Sequence, residues 1–287
     1  MSLEQFEAQA SQIGLLGILV TKDGEQVYRK TWDDECRRNV YSASKSFTST
    51  AVGIAIREGL LSLDEKLVDV FPDELPEVVS DNLAKATVRD CLTMCLGQGK
   101  PFLMGTMRPF YEEDNWVKLC LAQEFTDAPG EKFLYNNVGP YLAGILVQRR
   151  AGCDLVSYLT PRLFKPLGIK RPTWECDPLG NTFGAGGLFL TMRELHKLGL
   201  LYLNEGVWEG KQLVPKEWVE ECAKAQDVPH YSYLFWRGEQ GTYRADGKYC
   251  QLSIIVPEKN AVITTVAECR DSKPLNRLIF DHVYPML

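Results

Sequence analysis

Ser42 and Lys45 stand three residues apart in Tyr41-Ser42-Ala43-Ser44-Lys45, a spacing that puts both side chains on one face of a helix, one above the other. An amine then sits beside a hydroxyl. A serine hydroxyl is a poor nucleophile at neutral pH, and a lysine can take its proton only where burial or nearby positive charge has lowered the lysine pKa. The apolar run from Ser46 to Gly59 reads as a buried helix suited to supply that burial. Alone, Ser-x-x-Lys is expected about once by chance in a chain of this composition. Ser42 or Ser44 then reads equally well as a helix cap, with Lys45 solvated in the first turn. Residues further along have to decide.

Rival chemistries find little support. The chain has no Gly-x-Ser-x-Gly elbow, no His-Glu-x-x-His, no phosphate-binding Gly-x-x-x-x-Gly-Lys and no Gly-x-Gly-x-x-Gly after a strand. Gly184-Ala185-Gly186-Gly187 is too short and wrongly followed for a dinucleotide loop. The three histidines, His196, His230 and His282, read as structural or surface residues, so a Ser-His-Asp triad is unsupported. Cys91 and Cys95 have one-turn helical spacing but no second Cys or His pair, which favours packed thiols over a metal site.

The elements that must position Ser42 can be read around it. Asp23-Gly24 between two apolar-patterned runs predicts an opening β-hairpin. Ser62-Leu63-Asp64-Glu65 has capping-box form, as does Thr191-Met192-Arg193-Glu194. Helices are predicted over 87–96, 116–123, 138–150, 154–164 and 214–225, with a last one over 274–283. From Tyr231 the texture turns to strands: 231–236, 243–244, 249–256 and 261–267. Strands thus lie at both ends and helices between. The simplest packing is α+β, one antiparallel sheet built from both termini and flanked by the terminal helices, with a helical lobe inserted. The expectation is a single domain over 1–287, its α/β lobe about 1–60 plus 228–287 and its helical lobe about 61–227.

Length and composition agree with an ordinary globular chain: 287 residues, 45% apolar and 24% charged. A net charge of −6 with scattered basic residues argues against nucleic-acid binding. No apolar run approaches a membrane span, and Met1–Gln12 shows no secretory pattern. Nine cysteines, an odd number, favour reduced thiols and a cytoplasmic location.

Three stretches now join. Tyr41 to Phe47, then Tyr135-Asn136-Asn137 before a Gly-Pro-Tyr-Leu-Ala-Gly helix, then Gly186-Gly187-Leu188 before Thr191, resemble in order and spacing the class C β-lactamase and penicillin-binding-protein-like serine hydrolases. The resemblance runs from Asp23-Gly24 to the strand end Ile254-Ile255-Val256-Pro257-Glu258. Lys45-Ser46-Phe47-Thr48-Ser49 with Gly53-Ile54-Ala55-Ile56, and Gly206-Val207-Trp208-Glu209-Gly210-Lys211, are most similar to the esterase and 6-aminohexanoate-oligomer hydrolase members. It implies a β-lactamase/transpeptidase-like fold, an acyl-enzyme on Ser42, and Lys45 with Tyr135 as proton shuttle. Asn137 would hold the lysine and the substrate amide. Without Ser42, Tyr135 and Asn137 would read as a helix-entry loop.

The third motif departs. Where the family has Lys-Thr-Gly or His-x-Gly, this chain has Ala245-Asp246-Gly247, followed by Lys248. Gly247 would let substrate lie against the strand, and the Lys248 backbone N–H could pair with that of Ser42 as an oxyanion hole. No cation stands at the first position, so weak or absent β-lactam hydrolysis is expected, and an ester or amide without that carboxylate is favoured. Arg244 is a candidate substitute cation. Tyr111 and Trp236, and with less weight Phe110, Trp116 and Trp174, are expected around the pocket. The implied activity is a serine hydrolase acting on a small-molecule ester or amide, with no cofactor and no metal. The rival readings are an acyltransferase on the same site and a non-catalytic binding protein that keeps the fold.

Overall fold

A computed structural model describes residues 3–224 and 230–287. The chain opens with helix α1 (Leu3–Gln12) and a hairpin of β1 (Leu15–Lys22) and β2 (Glu25–Thr31). Asp23 and Gly24 both take positive φ, +51° and +82°, the twist that matches two antiparallel strands. The remaining strands of the sheet come from the other end of the chain: β3 (Tyr231–Ser232), β4 (Phe235–Arg237), β5 (Tyr243–Gly247), β6 (Gln251–Val256) and β7 (Ala261–Ala267). The seven run in the order β2-β1-β7-β6-β5-β4-β3, and every recorded pair is antiparallel. The sheet is therefore closed in the middle, β1 against β7, by the two ends of the chain. The fold is α+β, with one antiparallel sheet built from both chain ends.

Apolar side chains fill both faces of the central strands. On one face Ile18, Leu252 and Ile263 pack under α1 and under α5 (Ser272–Leu278), which contribute Phe6, Ala10 and Leu275. The opposite face carries a helix beginning at Met192, introduced below, and beyond it the largest cluster of buried residues. At its centre is α2 (Ser44–Arg57), in which every residue from Ser44 to Ala55 is buried. It has protein on every side: its C-terminal half is apolar, and the buried hydroxyls of its first half are hydrogen-bonded, Ser46 to Leu234 O, Thr48 to Gly184 O and Thr50 to Ser46 O. It packs along α3 (Val138–Ala151). It stops where Gly59 takes φ +71° and the N–H groups of Gly59 and Leu60 return to Ile56 O and Ala55 O, a left-handed cap that costs glycine little. Helix α4 (Met192–Leu203) begins with the expected capping box, Thr191 and Glu194 exchanging both hydrogen bonds.

Several boundaries differ from the sequence expectation, each for a local reason. Helix α2 begins at Ser44 because Tyr41–Ala43 forms a tighter turn ahead of it. Ser62–Glu65 is not a helix start: Glu65 accepts from Ser62 N at 2.6 Å, but the next helical turn opens only at Leu67. The run 231–236, expected as one strand, folds back on itself at Tyr233 and Leu234, which take φ +34° and +67°. Both are buried, so the turn lacks the polar residues that usually mark one. The end of the helix expected over 214–225, and the lobe boundary expected near 227 and 228, lie outside the described residues. Among the described residues no helix is long and apolar enough to cross a membrane.

Candidate active site

Ser42 sits in the turn between the short strand Arg38–Asn39 and α2. Ser42 is half-buried there. Tyr41 takes φ +47°, its N–H donates to Asn39 Oδ1 at 2.7 Å, and Ser44 Oγ donates to Tyr41 O at 2.5 Å while accepting from Leu188 N at 3.1 Å. Ser44 thus stitches the turn to the Gly186-Gly187-Leu188 segment and leaves Ser42 to face the cavity. Below them, Gly247 of β5 passes so close that a Cβ there would lie 2.1 Å from Val40 O. Glycine is required at that position by the turn that carries Ser42.

Lys45 rises from the first turn of α2 and is 1% exposed. Its Nζ has three oxygen neighbours: Ser42 Oγ at 3.0 Å, Asn137 Oδ1 at 2.7 Å and Ala185 O at 2.6 Å. Two of these can only accept. An ammonium would donate to all three; a neutral amine gives its two N–H bonds to the carbonyl oxygens and turns its lone pair to Ser42, the one neighbour with a proton to give. Burial, with the charge of Arg108 added, pulls the Lys45 pKa down to about 7, so both forms are populated near neutrality.

Asn137 is oriented from both ends. Its Oδ1 meets Lys45, and its Nδ2 donates to Leu103 O at 2.9 Å, leaving one N–H for another acceptor. Tyr135, two residues before it, has its ring centroid 5.1 Å from Lys45 Nζ. Burial pushes the Tyr135 phenol up to about 12, with the Ser42 hydroxyl opposing and the charge of Asp246 adding to the shift. At neutral pH it is a proton donor. The two groups differ near neutrality: the Lys45 amine can be without its proton, whereas the Tyr135 phenol keeps its own.

A cavity of about 400 Å³ opens beside Ser42 and is lined in part by Asn137, Lys248, Arg108, Glu175 and Gly186. Lys248 is thus brought to the site as expected, whereas Gly247 supports it from beneath. Trp236 does not line the cavity; it packs on the Tyr135 ring at 5.3 Å and holds the phenol from behind. Tyr111 does not line it either, because it stacks on Phe102 at 5.0 Å. Phe110 is 76% exposed, Trp116 belongs to the core, and buried Trp174 donates Nε1–H to Gly186 O at 2.9 Å. Arg244 is not a free cation: it pairs with Asp246 at 2.8 Å. Cys250 turns away from the cavity into the core beneath α5, beside Cys269. Arg108 and Glu175 were not singled out from sequence, and no local pattern marks them. Among the described residues no group of acidic, histidine or cysteine side chains is arranged to hold a metal ion.

A family model described as Beta-lactamase matches residues 3–281. The 6-aminohexanoate-dimer hydrolase of Paenarthrobacter ureafaciens is 25% identical over 210 residues, covering 68% of this chain and 53% of that protein. The monacolin J acid methylbutanoyltransferase of Aspergillus terreus is 27% identical over 162 residues, 50% of this chain and 38% of the fungal one. The chain therefore spans about half or less of the length of these two curated relatives. Among solved structures, the penicillin binding protein from Bacillus halodurans superposes with a TM-score of 0.77 at 16% identity, covering 98% of this chain and 100% of that one. That last likeness concerns the fold.

Proposed function

Because the chain belongs to the beta-lactamase family, we propose that it is a serine hydrolase that opens an ester or amide through an acyl-enzyme on Ser42. The observation that carries this reading is the lone-pair geometry of Lys45, whose two carbonyl partners leave Ser42 as the neighbour able to donate. Ser42 Oγ attacks the acyl carbon as its proton passes to the Lys45 amine. The carbonyl oxygen takes up the electron pair and is held by the backbone N–H groups of Ser42 and Lys248. When that pair returns, the bond to the alcohol or amine breaks, and Tyr135 donates the proton the leaving group needs. The Lys45 ammonium then restores the phenol. Water repeats the sequence in reverse sense, releasing the acid and free Ser42.

The substrate proposed is one without the carboxylate that the third motif reads in antibiotic-hydrolysing relatives. Ala245 offers no charge there, and Arg244 is committed to Asp246. Transfer of the acyl group to an alcohol or amine instead of water is the second reading, favoured by the similarity to a methylbutanoyltransferase.

The test is a fluorophosphonate probe on the purified protein, read by intact mass and labelled peptide, with Ser42→Ala as control. Stoichiometric labelling at Ser42, absent in the control, is expected. A folded sample that stays unlabelled favours a binding protein instead. With labelling in hand, ester and amide panels run with and without added alcohols and amines separate hydrolysis from transfer.

A further inference from the structure

Arg108 crosses the cavity and takes no part in the steps above. Its Nη1 reaches Glu175 Oε1 at 2.6 Å, and its guanidinium carbon lies 4.2 Å from the Phe183 ring centroid. Each end of this contact belongs to a segment that supports Lys45. On the Arg108 side, Phe102 O and Leu103 O accept from the backbone and side-chain N–H groups of Asn137. On the other side, Phe183 and Glu175 flank the loop whose Ala185 O accepts from Lys45, and Ala185 N itself donates to Phe183 O at 2.7 Å. The arginine therefore joins the two walls between which the lysine is suspended. Its side chain is only 18% exposed, so its charge acts on Lys45 through a partly dried cavity, where screening by water is weak.

We propose that Arg108, with Glu175 as its counter-ion, is a positioning residue for acylation: it clasps the two loops that grip Lys45, and its charge opposes a second cation between them. The proposal rests on the reading of Ser42 and Lys45 as nucleophile and base. The other groups around Lys45 leave this task to Arg108. From the 135–137 segment come Tyr135, a neutral phenol at working pH, and uncharged Asn137. From β5 comes Asp246, already paired with Arg244. Lys248 stands exposed at the rim, over the Tyr249 ring. Arg108 is the charge that adds to burial in lowering the lysine pKa. Glu175 works in the opposite sense, since it offsets the guanidinium it holds.

The experiment needs no natural substrate. The rate of fluorophosphonate labelling at Ser42 is followed from about pH 5.5 to about pH 9.5 in the wild type, Arg108→Gln, Arg108→Lys and Glu175→Gln, with circular dichroism to establish folding. Arg108→Gln is expected to raise the midpoint of the rate profile by about half a unit, which alone makes labelling about threefold slower at pH 6, and to lower the alkaline plateau as the clasp is lost. Glu175→Gln is expected to move the midpoint down, and Arg108→Lys to leave it near the wild-type position. A residue that merely braced the loops would lower the plateau without moving midpoints in opposite directions. Unmoved midpoints in Arg108→Gln and Glu175→Gln, or shifts of the same sign, overturn the proposal. Should Arg108→Gln fail to fold, the sign of the Glu175→Gln shift decides. A wild type that does not label at all removes the nucleophile itself, which is a different failure and takes the proposal with it.

Discussion

The division of labour proposed for Lys45 and Tyr135 follows from which of their neighbours can donate. Lysine faces two carbonyl oxygens and one hydroxyl, so its neutral form has a single useful direction for the lone pair. With its pKa pulled down to about 7 by burial, the labelling rate at Ser42 should rise with pH to a half-maximum near pH 7 and stay level above it. A rate that rises only above pH 9 would mean an ordinary solvated lysine. Lys45→Ala is expected to slow labelling by about three orders of magnitude, in the range of a lost general base, while the fold persists. Tyr135→Phe should spare the attack and slow leaving-group departure, so the loss is larger with a poor leaving group such as an anilide than with a nitrophenyl ester. Equal losses on both substrates would remove tyrosine as the donor.

At the scale of elements, two contacts carry measurable weight. The β5 strand approaches the Ser42 turn so closely that Gly247→Ala must push Val40 O aside. That crowding is expected to cost about 1 to 3 kcal/mol in urea unfolding and to disturb Ser42 more than a substitution elsewhere on β5. Unchanged stability and labelling would show that the turn can move away. Helix α4 is tied to the sheet by His196, buried between the hydroxyls of Thr21 and Thr264 at 2.7 and 2.8 Å. Burial lowers its pKa to about 4 from the ordinary 6.5. The folded state thus binds this proton less readily than the unfolded state, and the stability it contributes is full above pH 6.5 and lost as pH falls toward 4. The loss should approach about 3 kcal/mol, seen as a falling urea midpoint in the wild type and a flatter pH dependence in His196→Gln.

In the whole molecule, the site lies where the sheet made by both chain ends meets the helices between them. Ser42 comes from the entry to α2, Tyr135 and Asn137 from the entry to α3, Lys248 from the turn after β5. Arg244 and Asp246, two residues apart on one face of β5, pair with each other, so Arg244 is not free to meet a substrate carboxylate. A chromogenic cephalosporin should therefore be turned over with kcat/KM roughly tenfold to a hundredfold below that of an uncharged ester of matched reactivity, the worth of one charged hydrogen bond to a carboxylate. Comparable values for both would mean that Lys248 or Arg108, which line the cavity, meets the carboxylate in place of Arg244.

Much of this was legible in one dimension. The Asp23-Gly24 hairpin, the buried run behind Lys45 and the Thr191 capping box are local patterns, set by turn dihedrals, periodicity and a hydrogen bond within four residues. The order of Ser42, Lys45, Tyr135 and Asn137 is likewise written in the chain. The turn at Tyr233 and Leu234 was not, since buried aromatic and aliphatic residues adopt positive φ there only because the surrounding core accepts them. Nor was the placing of Tyr111 against Phe102 and of Trp236 against Tyr135, or the arrival of Arg108, 63 positions beyond Lys45 in the chain, in the cavity beside Ser42. Residue types and short spacings determine which groups exist and which helix or turn presents them. How far a lysine is dried, and which charge faces it, depends on segments distant in sequence packing together, and that was decided by the tertiary structure alone.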